Sequence, residues 1–535
     1  MDYWSLPYPS QRQPVVADAV VATSQPLAAQ AGLAMLQRGG NAVDAAIAAA
    51  AALAIVEPTS NGLGSDAFAI VAEPDGTVHA LNASGRSAAA LDPERYHALD
   101  AMPLRGWDAV TVPGAVSGWI ALHERFGSLD LADLLAPAIR WAEEGYPVGP
   151  VTAATWARSQ AVHGGREDFA AAFLPGGRAP RAGERFALPD AGRTLRRIAA
   201  TSGGAFYEGE LAEAIAAHAR AEGAALVIDD LAGHRPDWVD TVHGRLQVGD
   251  REWTVHELPP NGQGIAALIA LGILRRSPVW DRLRDAAFLD DAEGLHWQVE
   301  ATKLAFAEVH THVADLDHMR LAPADLLAGP RLDSLAARID ADHASDPGHG
   351  RPQPGGTVYL ATGDAEGGAV SFIQSNYYGF GSGVVVPRTG ISLQNRGAGF
   401  VTDPDHPNAV APGKRPFHTI IPAMATGHGG PALAFGVMGG PMQPQGHLQL
   451  LLRLAAGQNP QAASDAPRWR VEAGLEVVVE RGMPEHVSRR LTRMGHVMTP
   501  GGGMGGFGGA QLVARREGAW VAGSDHRKDG HAVGW

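Results

Sequence analysis

The sequence contains no cysteine. That excludes disulfides, thiolate metal ligands and a cysteine nucleophile. Basic residues are also in short supply: 43 Lys and Arg stand against 57 Asp and Glu, a formal charge of −14. Phosphate backbones are bound by a cationic stripe, and no Lys/Arg run long enough to form one occurs, so no nucleic-acid partner is expected. No apolar run reaches the roughly 18 residues that a membrane span requires. The most apolar stretch, Ala42 to Val56, is shorter and carries Asp44. It reads as a buried, alanine-rich helix. The first residues, MDYWSLPYPSQRQ, lack the basic and apolar regions of a signal peptide, so a cytoplasmic protein is expected. What remains, 45% hydrophobic and 19% charged over 535 residues, is an ordinary globular composition with ample core.

The most informative stretch runs from Gly350 to Gly383, GRPQPGGTVYLATGDAEGGAVSFIQSNYYGFGSG. A Pro/Gly-rich segment, Ala344 to Gly356, has no hydrophobic period and leads into Thr357. Thr357 to Thr362 is rich in β-branched and aromatic residues, a turn follows at Asp364 to Gly368, and Ala369 to Ser375 is apolar again. This predicts a β-hairpin. Cleavage of the Gly356–Thr357 bond would give Thr357 both a hydroxyl nucleophile and an α-amine to act as its base. That amine has an ordinary pKa of roughly 7.7–8.0, suited to base work near neutral pH. Taken alone, Gly-Gly-Thr before a hairpin is equally a plain loop entering a sheet.

Upstream, Gln25 to Gln37 has helical period, and Asn41 reads as the N-cap of a helix over Ala42 to Ile55. Strands are predicted at Ala67–Ala72 and Thr77–Asn82, helices at Ala115–Arg125 and Leu131–Glu144. Helices dominate from Ala154 to about Asp342, with strands at Val242–Val248 and Trp253–Glu257. Beyond the hairpin, a strand at Ala432–Gly436 precedes a helix from Leu448, and the chain closes with Val477–Glu480, Pro484–Met494, Ala510–Arg515 and Trp520–Gly523. Paired strands flanked by helices predict an α+β sandwich of sheets covered by helices, not a doubly wound parallel sheet.

Several of these segments together resemble the γ-glutamyltranspeptidase family of N-terminal-nucleophile hydrolases. Ala22–Leu53, EPTSNGLGSDAF (Glu57–Phe68), NASGR (Asn82–Arg86), VPGAVSGW (Val112–Trp119) and Leu134–Val148 are similar to its large-subunit half. GGTVYLATGDAEGGAVSF, FGSG, KRPFHTIIP (Lys414–Pro422), GVMGG (Gly436–Gly440), DAPRW (Asp465–Trp469) and GSDHRKDGHAVG (Gly523–Gly534) are similar to its small-subunit half. The resemblance implies one αββα domain, made as a single precursor that cuts itself between Gly356 and Thr357 into residues 1–356 and 357–535. It implies no cofactor and no metal, and it leaves the copy number of the processed unit open.

Position by position, the resemblance makes Thr357 the nucleophile and Gly439 with Gly440 the oxyanion-hole pair. Arg86 would grip a substrate carboxylate, and Ser375 would support the nucleophile. The departures concern substrate. Gly399 stands where the family has the acid that reads a glutamyl α-amine, Arg396 replaces a Gln, Tyr377 an Asn, and His418-Thr419 a Ser-Ser pair. These features resemble the subgroup of oxamate-type amidohydrolases and glutaryl-cephalosporin-type acylases. The expected function is hydrolysis or acyl transfer on small carboxylate-bearing amides. True γ-glutamyltransferase or glutathione hydrolase activity is the alternative, and a non-processing binding protein is the reading from another class.

Other features carry less. His310, His312, Asp315, Asp317 and His318 have metal-ligand spacing but fall where the family has structure. Gly501–Gly509 lacks the Lys-Ser/Thr of a phosphate cradle and is expected as a mobile loop beside the site. His447 is expected to hydrogen-bond at a helix start, and Asp66 and Arg415 to structure the site.

Overall fold

The computed structural model describes residues 3–4, 11–348, 355–502 and 506–535. Two seven-stranded antiparallel sheets form its centre. One runs, in spatial order, Val15–Ala17, Ala519–Ser524, Gly509–Arg516, Gly430–Met438, Ala423–Gly427, Arg251–Glu257, Val242–Val248. The other runs His531–Gly534, Val20–Thr23, Gly356–Gly363, Ala369–Tyr377, Asp66–Ala72, Val78–Asn82, Asp237–Val239. Both sheets combine strands from before Gly356 with strands from Gly356 onward.

Strand alternation sorts the side chains into layers. Tyr359, Ala361, Phe68 and Ile373 of the second sheet meet Met424, Ala434, Val513 and Trp520 of the first. The opposite face of the second sheet, with Val358, Leu360 and Phe372, packs on the helices Pro26–Gln37 and Ala42–Val56. The outer face of the first sheet, with Phe435, Val437 and Leu512, packs on Ile265–Leu274, Ala292–His312 and Met442–Ala455.

The helix Ala42–Val56 is buried along its whole length, which only small side chains permit this close to a neighbour. Its first turn is closed by a capping box between Asn41 and Asp44. The hairpin lies at Gly356–Gly363 and Ala369–Tyr377, with its turn over Asp364–Gly368. Residues 349–354 of the Pro/Gly segment before it lie outside the described residues. The helix expected from Leu448 begins earlier, at Met442. Pro444 is accommodated there because N–H groups of the first helical turn have no intrahelical acceptor, so proline's missing N–H breaks no bond. Among the described residues, no helix is long and apolar enough to cross a membrane.

Candidate active site

Thr357 is the second residue of a central strand of the second sheet. A register shift between Gly356 and Val358 takes it out of the regular ladder against Ala369–Tyr377. The residue is 1% exposed. Its Oγ1 lies 2.7 Å from the Gly356 carbonyl oxygen and 3.3 Å from Ser375 Oγ. Ser375 donates to the same carbonyl at 2.7 Å and itself accepts from Arg396 Nη2 at 2.6 Å and from the Tyr377 N–H at 2.8 Å. Both acceptor sites of the Ser375 hydroxyl are filled, which leaves its proton for Gly356. Hydrogen-bond donors thus converge on the carbonyl that precedes Thr357.

A buried polar layer supports this group from behind. Arg396 is 1% exposed, donates to Thr419 Oγ1 at 2.8 Å and has its guanidinium carbon 4.6 Å from the centre of the Tyr377 ring. Burial pushes it down to about 10, against the pull of Asp66. Asp66 accepts the N–H groups of Gly85 and Gly114. The Ile420 N–H points at His418 Nδ1, 3.3 Å away, so the ring proton sits on Nε2 and meets Asp66 Oδ2 at 3.2 Å. Two residues that nothing in the local sequence marks complete the layer. Gln443 Nε2 lies 3.5 Å from Thr357 Oγ1. Gln263 Nε2 holds the carbonyls of Thr419 and Gly440, at 2.6 and 3.0 Å.

Burial raises Asp66 from 3.8 to about 7, while Arg396 and its two backbone donors oppose the rise. A carboxyl that is harder to ionise when folded stabilises the protein at low pH and loses that contribution as pH rises through the folded value. Wild type should therefore lose stability from about pH 4 to about pH 8 more steeply than Asp66→Asn. Denaturant titrations of both proteins across that range measure the difference, and parallel curves contradict it.

In front of Thr357 opens a cavity of 720 Å³. Thr357, Gly439, Met442, Tyr378, Arg158 and Lys528 are among its walls, as are Gly506 and Gly508 from the glycine-rich loop. Residues 503–505 of that loop lie outside the described residues. Gly439 and Gly440 directly follow the strand Gly430–Met438 of the first sheet with φ of 113° and 60°, conformations that favour glycine. Glu472 is the one carboxylate on the described wall, and it is paired with Arg470.

The structure corrects part of the sequence-based reading. Arg86 does not reach this cavity. It is paired with Asp315 at 2.8 Å and lines a separate cavity with Arg415 and His234. The pairing is made across 229 residues of chain, so no local pattern could announce it. His418 is fully buried against Asp66 and Phe68, and Tyr377 lies beneath Arg396. Neither lines the cavity while Gly356 occupies the site, and the same holds for Ser375, Arg396 and Thr419. At Gly399 an added Cβ would stand 2.3 Å from the Phe417 carbonyl, so packing leaves no room for an acid there. The side chains of the His310–His318 stretch go elsewhere: Asp315 to Arg86, and His312 to Arg331. His447 sits within the helix Met442–Ala455, bonded to Glu257 at 2.7 Å.

The family model described as gamma-glutamyltranspeptidase matches residues 28–535. The chain belongs to the gamma-glutamyltranspeptidase family. It is 38% identical to the oxamate amidohydrolase proenzyme of Klebsiella pneumoniae, over 95% of this chain and 97% of that one. It is 36% identical to the glutathione hydrolase-like YwrD proenzyme of Bacillus subtilis, with the same coverage. The crystal structure of a cephalosporin acylase from Bacillus halodurans superposes with a TM-score of 0.93 at 44% identity, covering 100% of this chain and 99% of that one. The protein is thus an enzyme of the family's amidohydrolase kind, within the N-terminal-nucleophile hydrolases.

Proposed function

We propose that the chain is a precursor with the αββα sandwich of that class, which cuts itself at Gly356–Thr357 and then hydrolyses small carboxylate-bearing amides with Thr357 as nucleophile. The observation that carries the reading is the convergence of Thr357 and Ser375, backed by Arg396, on the Gly356 carbonyl. In self-cleavage, Thr357 Oγ1 adds to that carbonyl carbon while the Ser375 hydroxyl takes up the developing charge on its oxygen. Collapse expels the Thr357 nitrogen, which takes the proton given up by Oγ1 and leaves as an amine, and water hydrolyses the resulting ester. Residues 1–356 then end in a carboxylate, and Thr357 has gained its α-amine.

In turnover that amine removes the Oγ1 proton as the hydroxyl attacks a substrate carbonyl, and the backbone N–H groups of Gly439 and Gly440 receive the oxyanion. The leaving amine takes the proton, and water releases the acyl group. Gln443 and Gln263 position the hydroxyl and the glycine segment. The relatives named as amidohydrolase, glutathione hydrolase-like protein and acylase all support amide chemistry.

Substrate choice follows from charge. An α-ammonium in this cavity would find no unpaired carboxylate among the described wall residues, and the Arg396 guanidinium lies behind Ser375. An ammonium left without a counter-charge beside guanidinium and ammonium groups is disfavoured. Glutaryl-p-nitroanilide, which differs from the γ-glutamyl compound only by the missing amine, should show a kcat/KM higher by about tenfold or more. Equal or reversed values would favour γ-glutamyl transfer instead.

A further inference from the structure

With Arg86 occupied by Asp315, the cavity needs another cation to receive a substrate carboxylate. Its wall offers four. Arg470 is paired with Glu472, and Arg527 is paired with Asp525 and Glu480. Arg158 lies at the exposed rim and donates to Thr155. Lys528 differs from all three. Its side chain is 21% exposed, its ammonium is ion-paired with Glu57 Oε1 at the long distance of 3.7 Å, and that ammonium makes no hydrogen bond among the described residues. An ammonium has three protons to donate, so a ligand can bind it beside Glu57.

We propose that Lys528 forms an anion subsite that takes the distal carboxylate of the substrate's acyl group. The placement follows from the uncut chain. The Gly356 carbonyl already lies against Thr357, so the acyl part of a substrate must occupy the space that Gly355 and Gly356 fill. The wall of that space is Thr59, Ser60 and Gly379, each with an atom 3.6 to 3.7 Å from a Cβ built on Gly356. Ser60 Oγ donates to Glu57 Oε1 at 3.1 Å, and this is the oxygen that Lys528 faces. Lys528 therefore borders the acyl space.

Its direction is fixed from the other side. A Cβ on Gly509 would come within 2.7 Å of Lys528 Cγ, so the lysine stem lies over that glycine, opposite Met438 and next to Gly439. Glu57 is a weak competitor. It is held by Ser24 and Ser60, and burial pushes its carboxyl up, toward the neutral form.

The subsite rests on the Thr357 amidase reading, and one experiment separates the two. Wild type, Lys528→Gln, Lys528→Met and Lys528→Arg are assayed on glutaryl-p-nitroanilide and on valeryl-p-nitroanilide, in which a methyl group replaces the carboxylate. Intact masses establish that each protein is cut. Loss of the charge should raise KM for the glutaryl substrate by about tenfold or more, with kcat within about threefold. The valeryl KM should stay unchanged, and Lys528→Arg should restore most of the glutaryl affinity. Equal effects on both substrates, or no effect on the glutaryl one, overturn the subsite while leaving the amidase intact. A wild type that hydrolyses neither overturns the amidase reading, and the subsite with it.

Discussion

Thr357→Ala is expected to stay a single chain of 55.9 kDa under denaturing conditions, while wild type separates into two fragments that meet at Gly356 and Thr357. Cleavage depends on the Thr357 hydroxyl. Thr357 Oγ1 lies beside the Gly356 carbonyl, and Ser375, also hydrogen-bonded to that carbonyl, cannot replace it because its own lone pairs already accept from Arg396 and Tyr377. Alanine removes both the nucleophile and the cleavage that would free the amine, so amidase activity should fall by roughly 10⁴-fold or more. Thr357→Ser keeps the hydroxyl and should still cut. Mass spectrometry of the intact proteins reads the outcome directly. A wild type that remains whole and hydrolyses no amide would instead mark a binding protein on the same scaffold.

The elements that local sequence specifies were legible. Asn41 with Asp44 sets the start of a helix, and the β-branched run after Gly356 sets a strand. What escaped depends on partners distant in the chain. The last strand, His531–Gly534, has no recognisable pattern of its own and exists because it pairs with Val20–Thr23. Gly446 looks like a helix breaker, yet it lies inside a helix because a Cβ there would stand 2.8 Å from Val437. The site divides in the same way. Thr357 and Ser375 meet at one carbonyl, Arg396 and Thr419 stand in line behind Ser375, and Gly439 lines the cavity in front. Arg86 was placed by motif, but its environment is decided by Asp315. Lys528, Gln443 and Gln263 are ordinary residues in sequence and gain meaning only from what they face.

Gly439→Ala is expected to separate self-cleavage from turnover. In the uncut chain the Gly356 oxygen is met by Ser375 and Thr357. The oxyanion of a bound substrate is assigned to the N–H groups at Gly439 and Gly440. At φ 113° an alanine is strained, and its Cβ would stand 3.0 Å from Gly508 Cα, so the peptide planes on either side must turn. Misplacing one such donor costs about 10²–10³ in kcat. The variant should therefore still appear as two fragments, yet hydrolyse glutaryl-p-nitroanilide with kcat lower by about 100-fold or more and KM little changed. Ser375→Ala should show the reverse balance, with slowed cutting, because it removes the donor that the Gly356 carbonyl uses. If Gly439→Ala blocks cutting as completely as Thr357→Ala, both reactions draw on one set of donors. The division of labour between Ser375 and the glycine pair then fails.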